Sequence, residues 1–180
     1  MRTSLLRRDL PFLVALMVGS VGSLEGQSLT AFGGFAGGGP GSGGLLIGLE
    51  LRTPELGRLS AAAAGSAWQF IGVGCDLIIG ARCEESAKAL DIGPVVRLTP
   101  GSQSWRLEAT ARIGGLWYNG EDSGVWNPSA GLGFGFGQLR RVGGLLSLHY
   151  HALTSSRPSN LPHPPTDDHL VVTAGLQVRF

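Results

Sequence analysis

Lysine is almost missing from this chain: Lys88 is the only one in 180 residues. Charged residues of all kinds reach 15%, against a usual ~25%, and a water-soluble exterior normally needs ~25–35%. The chain therefore cannot cover its whole surface with charge. Cysteine is equally scarce. Cys75 and Cys83 are the only two, which excludes a framework of several disulfides, and a zinc site needs more ligands than their neighbourhood offers. One disulfide closing a short loop is what the pair predicts in an exported chain. Excess charge of either sign is absent too. Fourteen basic residues stand against thirteen acidic ones, which leaves no electrostatic case for nucleic acid as a partner. Beyond the N-terminal leader, no run approaches the ~20 apolar residues of a membrane-spanning helix.

Glycine is in excess, 30 residues where ~7% of a chain is usual. With neither a collagen period nor a low-complexity run, that excess points to bends and close approaches inside a β-structure. At the start, Arg2, Arg7 and Arg8 precede an apolar stretch at 10–18, and small residues follow through Ser23 and Ser28. The pattern predicts a secretory signal peptide over residues 1–28, cleaved near 23–28, followed by one domain over 29–180. Without the leader, eleven basic and eleven acidic residues remain.

An alternating segment of roughly ten residues, followed by turn residues, then recurs. The segments are 29–37, 44–52, 58–73, 91–98, 104–118, 130–139, 144–153 and the terminal stretch 169–180, eight in all. Connections after the second, fourth and sixth are tight. Those after the third, fifth and seventh are longer, at 74–90, 119–129 and 154–168. In the terminal segment Leu170, Val172, Ala174, Leu176, Val178 and Phe180 share one face, and Val171, Thr173, Gly175, Gln177 and Arg179 share the other. The fifth segment carries a tryptophan at each end of its apolar face, Trp105 and Trp117. Twelve residues at roughly 3.3 Å rise and about 40° tilt cover about 30 Å, close to the ~25 Å apolar band with aromatic girdles of transmembrane barrels.

An even number of alternating segments, a parity of short and long connections, and a terminal strand closing on Phe180 together resemble the small bacterial outer-membrane β-barrel family that includes the membrane domain of outer membrane protein A. The resemblance covers the whole chain after the leader. It implies an all-β fold, an eight-stranded antiparallel up-and-down transmembrane barrel with both termini on the periplasmic side. It also implies outer-membrane lipid as the surroundings and the barrel-assembly machinery as the reader of the C-terminal strand during insertion. It names no cofactor, no metal and no extracellular ligand.

Alternation does not by itself say which face is wet, since soluble barrels alternate as well. The composition of the two faces does. Leu45, Ile47, Leu49 and Leu51, Leu132, Phe134 and Phe136, and Leu146, Leu148 and Tyr150 make one face bulky and apolar. Gly131, Gly133, Gly135 and Gly137 make the opposite face small, which suits a confined interior and not a solvated exterior. Trp105, Trp117 and Phe180 then form the aromatic girdle. Inward charges are Glu50, Arg52, Arg97, Arg106, Glu108, Arg112 and Arg179, with His149 and His151 beside them. An internal polar network is predicted, with Glu50 and Glu108 pairing with Arg106 or Arg112.

His149-Tyr150-His151 is the densest chemistry in the chain. It resembles the lipid A 3-O-deacylase barrels, whose late strand carries His-x-Ser-Asn with the histidine activating the serine. His149 matches, but His151 stands at the serine position and Ala152 at the asparagine position, so the nucleophile is missing. Two histidines without a third ligand also make a poor metal site. The proline-rich stretch 155–168 is polar and extended, and the glycines at 33–34 and 37–39 lack the Lys-Ser/Thr ending of a phosphate loop. The expectation is an outer-membrane barrel with a structural or surface-interaction role and no catalysis. A lipid A-modifying enzyme with His149 as base and a narrow pore for small solutes stand as alternatives.

Overall fold

The computed structural model describes residues 26–37, 42–72, 84–99, 104–118, 125–137, 141–152 and 168–180. These contain β1 (Ser28–Gly37), β2 (Ser42–Arg52), β3 (Leu59–Gly72), β4 (Glu84–Arg97), β5 (Trp105–Tyr118), β6 (Val125–Trp126), β7 (Ser129–Phe136), β8 (Val142–His151) and β9 (His169–Arg179). Strands β6 and β7 both pair with β5 and make one stave, so the nine strands build eight staves. Each stave is antiparallel to the next, and β9 returns to pair with β1. The sheet is a closed eight-stranded barrel without a free edge.

Closure extends to the last residue. The Gly26 N–H donates to the Phe180 carbonyl at 2.9 Å, and the Phe180 N–H donates to the Gln27 carbonyl at 3.0 Å. Residues 26–28 therefore lie in the barrel wall, where the sequence reading assigns them to the leader; residues 1–25, Cys75 and Cys83 lie outside the described residues. Following the register from Gly37 through Leu170, Tyr150, Ala130, Ala111, Pro94, Ala61 and Thr53 returns to β1 at Gln27, ten residues from the start. Ten residues of stagger over eight staves set a strand tilt of about 40°. The interior is then just wide enough for side chains to fill it.

Two elements differ from the sequence expectation. Strand β4 begins at Glu84 instead of 91, because its inward residues there, Ala87 and Ala89, are small and its outward face carries Lys88. The charge of Glu84-Glu85 and Lys88 hides an intact period of two. The sixth stave begins at Val125 instead of 130. Pro128 has no N–H to give the ladder, so the pairing breaks between β6 and β7, although the Asn127 N–H still donates to the Gly114 carbonyl at 2.9 Å.

The lumen changes character along its length. Near the end that carries the longer connections, Ala36, Leu46, Trp68, Ala87, Ala89, Leu116 and Val171 pack into an apolar plug, with Phe32 and Val125 against it. The sequence predicts a filled lumen with an internal polar network. The lumen is polar only below this plug, since Trp68 occupies an inward position of β3 and is 5% exposed.

Candidate functional site

Below the plug, arginines and glutamates from β2, β4 and β5 and from the turn after β2 meet. Arg52 holds Glu108 in a two-pronged grip, Nη1 to Oε2 and Nη2 to Oε1, both at 2.7 Å. Its Nε donates to Glu50, whose other oxygen accepts from Arg112 Nη2. Arg106 lies with Nε 3.0 Å from Glu108 Oε2 and Nη1 3.1 Å from Glu55 Oε1. Arg97 completes the far side, its Nε 3.5 Å from Glu55 and its Nη2 donating to the Gly57 carbonyl at 3.1 Å. Arg106 and Arg179 both reach Gln177 Oε1, at 3.3 and 3.4 Å, and Gln177 Nε2 donates to Ser28 Oγ at 3.1 Å. The result is one connected chain of charge and amide groups that fills the lower lumen.

The glycine row of the sixth stave makes this packing possible. A Cβ on Gly133 would stand 2.8 Å from Glu108 Cγ and Oε1, and one on Gly131 would stand 2.8 Å from His149 Cγ. Glu108 and His149 lie in the space those missing side chains leave. The network is dense because burying such charges is tolerable only when each is paired and hydrogen-bonded.

Between network and plug sits a cavity of about 40 Å³ lined by Glu50, Asp91, Arg112, His149 and His151, among others. It has room for very few water molecules. Asp91 is buried there, and its Oδ1 has no hydrogen-bond partner. Sequence reasoning missed Asp91, although counting back by twos from Arg97 places it on the inward face. Glu55 was missed because it lies in a turn, where no period points.

His149 and His151 both project into the lumen and are buried. Their ring centroids are 6.1 Å apart, and His151 meets Trp68 edge-on at 5.5 Å. His151 Nδ1 lies 3.0 Å from Asn127 Oδ1. A third histidine, His169, stands directly opposite His151 in the register and is buried too. Ser147, the hydroxyl nearest His149 along β8, has its Oγ 2.5 Å from Thr173 Oγ1. Neither histidine reaches the outer surface. Among the described residues, no group of three or more His, Cys, Asp or Glu side chains could hold a metal ion.

The outer face carries the apolar rows. Trp105, Trp117 and Phe180 all point outward and are exposed, as is Trp126 on β6, which the sequence reading leaves in a loop. Tyr150 donates its hydroxyl to Asp168 on the same face.

No protein-family model and no curated protein sequence matches the chain. Solved structures do. Neisserial surface protein A is similar with a TM-score of 0.63 at 11% identity, covering 87% of this chain and 98% of that one. The outer membrane protein OprG from Pseudomonas aeruginosa gives 0.57 at 12% identity, with 87% and 96% covered. A major outer membrane protein from Thermus thermophilus gives 0.55 at 11% identity, with 86% and 99% covered. In fold, the chain is a closed eight-stranded antiparallel β-barrel of the kind these proteins share.

Proposed function

We propose that the chain is an integral protein of a bacterial outer membrane, a barrel with a filled lumen and a structural or surface-interaction role. The observation that carries this reading is an inside-out distribution of burial. Glu108 is 2% exposed and Arg52 3%, whereas Ile47 is 65% and Leu176 66% exposed on the outer wall. Monomeric soluble proteins rarely expose contiguous apolar patches beyond a few hundred Å², and here the apolar rows run round the whole barrel. Lipid satisfies that wall as water does not.

In this setting the longer connections face the cell exterior, and the short turns and both ends of the barrel sequence face the periplasm. Outer-membrane lipid is the permanent partner. The barrel-assembly machinery is the transient one, through the strand ending at Phe180. An extracellular ligand would be met by the longer connections, and no nucleic acid is involved. The two alternatives find less support. A lipid A-modifying enzyme needs its base at the lipid, and His149 lies inside the wall. A pore needs an open lumen, and this one is filled by the ion network and the apolar plug. The test is fractionation of the expressed protein together with its mobility on a gel before and after boiling. Recovery in the outer membrane with heat-modifiable mobility is expected; recovery as a soluble protein that needs no detergent would overturn the proposal.

A further inference from the structure

Three of the four histidines of the chain, His149, His151 and His169, are buried at the upper ends of the eighth and ninth strands, beside the apolar plug. Two of them face each other across neighbouring strands, which places their Cβ atoms about 4.5–5.5 Å apart. His149 follows His151 on the same face, with 6.1 Å between ring centroids. The groups that face this cluster are few. Strand β5 brings Arg112, β2 brings Glu50 with Arg52 below it, and β4 brings Asp91. Glu108 lies further down. Among the described residues, β1, β3, β7 and the link between β6 and β7 present no charge at this level, only Ala36, Trp68, Ser129 and Asn127. Glu50 is already engaged by Arg52 and Arg112. Trp68, a member of the plug, packs edge-on against His151 with ring centroids 5.5 Å apart.

We infer that the histidine cluster is an acid-sensitive latch on the upper lumen, in which proton uptake displaces Trp68 and lets water in past the plug. Neutral imidazoles fit this packing, and acidification is what charges an imidazole. His151 Nδ1 is turned to the Asn127 carbonyl oxygen, so Nε2 is the position left to accept a proton. A proton on His151 sets a positive charge beside two further imidazoles and close to Arg112. A second proton, on His149 or His169, adds like-charge repulsion between neighbours that a few ångströms of outward movement relieve. Trp68 is the lid that must give way, because it packs on His151. The wall of backbone hydrogen bonds and the ion network below remain in place, which limits the change to the upper lumen.

The experiment is the fluorescence of the refolded full-length protein in detergent micelles from pH 8 to pH 3.5, with the spectrum of Trp68→Phe subtracted to isolate Trp68. A reversible red shift of the Trp68 emission on acidification is expected, while unboiled gel mobility shows the barrel intact. The double variant His151→Gln, His169→Gln is expected to lose the shift, and His149→Gln to reduce it. A Trp68 spectrum unchanged throughout this range overturns the inference. So does the same transition in the double variant, or a shift that appears only when the whole barrel unfolds. Failure of this test leaves the outer-membrane proposal standing, since fractionation decides that independently.

Discussion

Arg52 on β2 and Glu108 on β5, 56 positions apart in sequence, meet in the lumen through two hydrogen bonds of 2.7 Å each. A fork-to-fork pair of this kind fixes orientation as well as distance. It joins directly, across the lumen, two strands that the sheet connects only through intervening strands, β3 and β4 on one side and β1, β9, β8 and β7 on the other. Because Arg52 also holds Glu50, and Glu50 holds Arg112, the pair is the centre of a chain, so removing either member strands charges on both sides.

Glu108→Gln keeps the volume and removes the charge. It leaves Arg52 and Arg106 facing one acid fewer in a buried site, and breaking a buried pair on one side costs about 3–5 kcal/mol. The midpoint of urea unfolding, followed by tryptophan emission in micelles, is expected to fall accordingly. Combining it with Arg52→Met is expected to cost less than the two single changes together, because residues in one network couple by about 0.5–3 kcal/mol. Strict additivity would mean that the pair does not act as a unit.

Gly133→Ala asks whether the glycine row is a recess for Glu108. The added Cβ stands 2.8 Å from that carboxylate side chain, and overpacking a filled interior costs about 1–3 kcal/mol. Gly33→Ala is the control: its Cβ would meet nothing nearer than the Leu46 carbonyl oxygen at 3.7 Å. The first variant is expected to unfold at lower urea than the second, which should match the parent. Equal midpoints would show that Glu108 moves aside freely.

How much of this was legible in the sequence follows from the same residues. Period-two alternation exposed the eight staves, because outward residues such as Ile47 and Leu176 are large and inward neighbours are small or charged. It named Glu50, Arg52, Arg106, Glu108 and Arg112 as sharing the interior. It did not say which arginine meets which acid, since that depends on a ten-residue stagger that no local pattern encodes. Glu55 was invisible because turns carry no period. Trp68 was invisible for another reason: an inward tryptophan looks like any apolar residue in a strand that carries five alanines and no charge. The upper half of β4 was lost behind its charges, and β6 behind Pro128.

Arginine placed on the outer wall separates lipid from water as the surroundings. Leu132→Arg introduces a charge on the middle of the outward face of β7, and Val142→Arg does so near the turn end of β8. In a bilayer the cost for Arg is about 2–4 kcal/mol at mid-depth and about 0–1 near the interfaces. Refolding yield and unfolding midpoint in lipid vesicles are therefore expected to drop for Leu132→Arg and to change little for Val142→Arg. In water both substitutions on exposed positions would be nearly neutral, so a flat result would argue against a membrane wall.

Deleting Phe180 distinguishes a stave from an address. In the barrel its backbone N–H and carbonyl bond to Gln27 and Gly26 at 3.0 and 2.9 Å, two hydrogen bonds at the very end of the β1–β9 seam. Each is worth only about 0.5–1.5 kcal/mol, and the remaining pairs from Ser28 to Gly37 keep the seam closed. The shortened chain is therefore expected to refold in micelles with heat-modifiable mobility and a slightly lower unfolding midpoint. In cells the proposed reading of the terminal strand by the assembly machinery predicts a much larger loss, several-fold less protein in the outer membrane and accumulation in the periplasm. Equal modest losses in both settings would reduce Phe180 to a structural residue. A large loss confined to cells would separate what the last residue does for assembly from what it contributes to the finished wall.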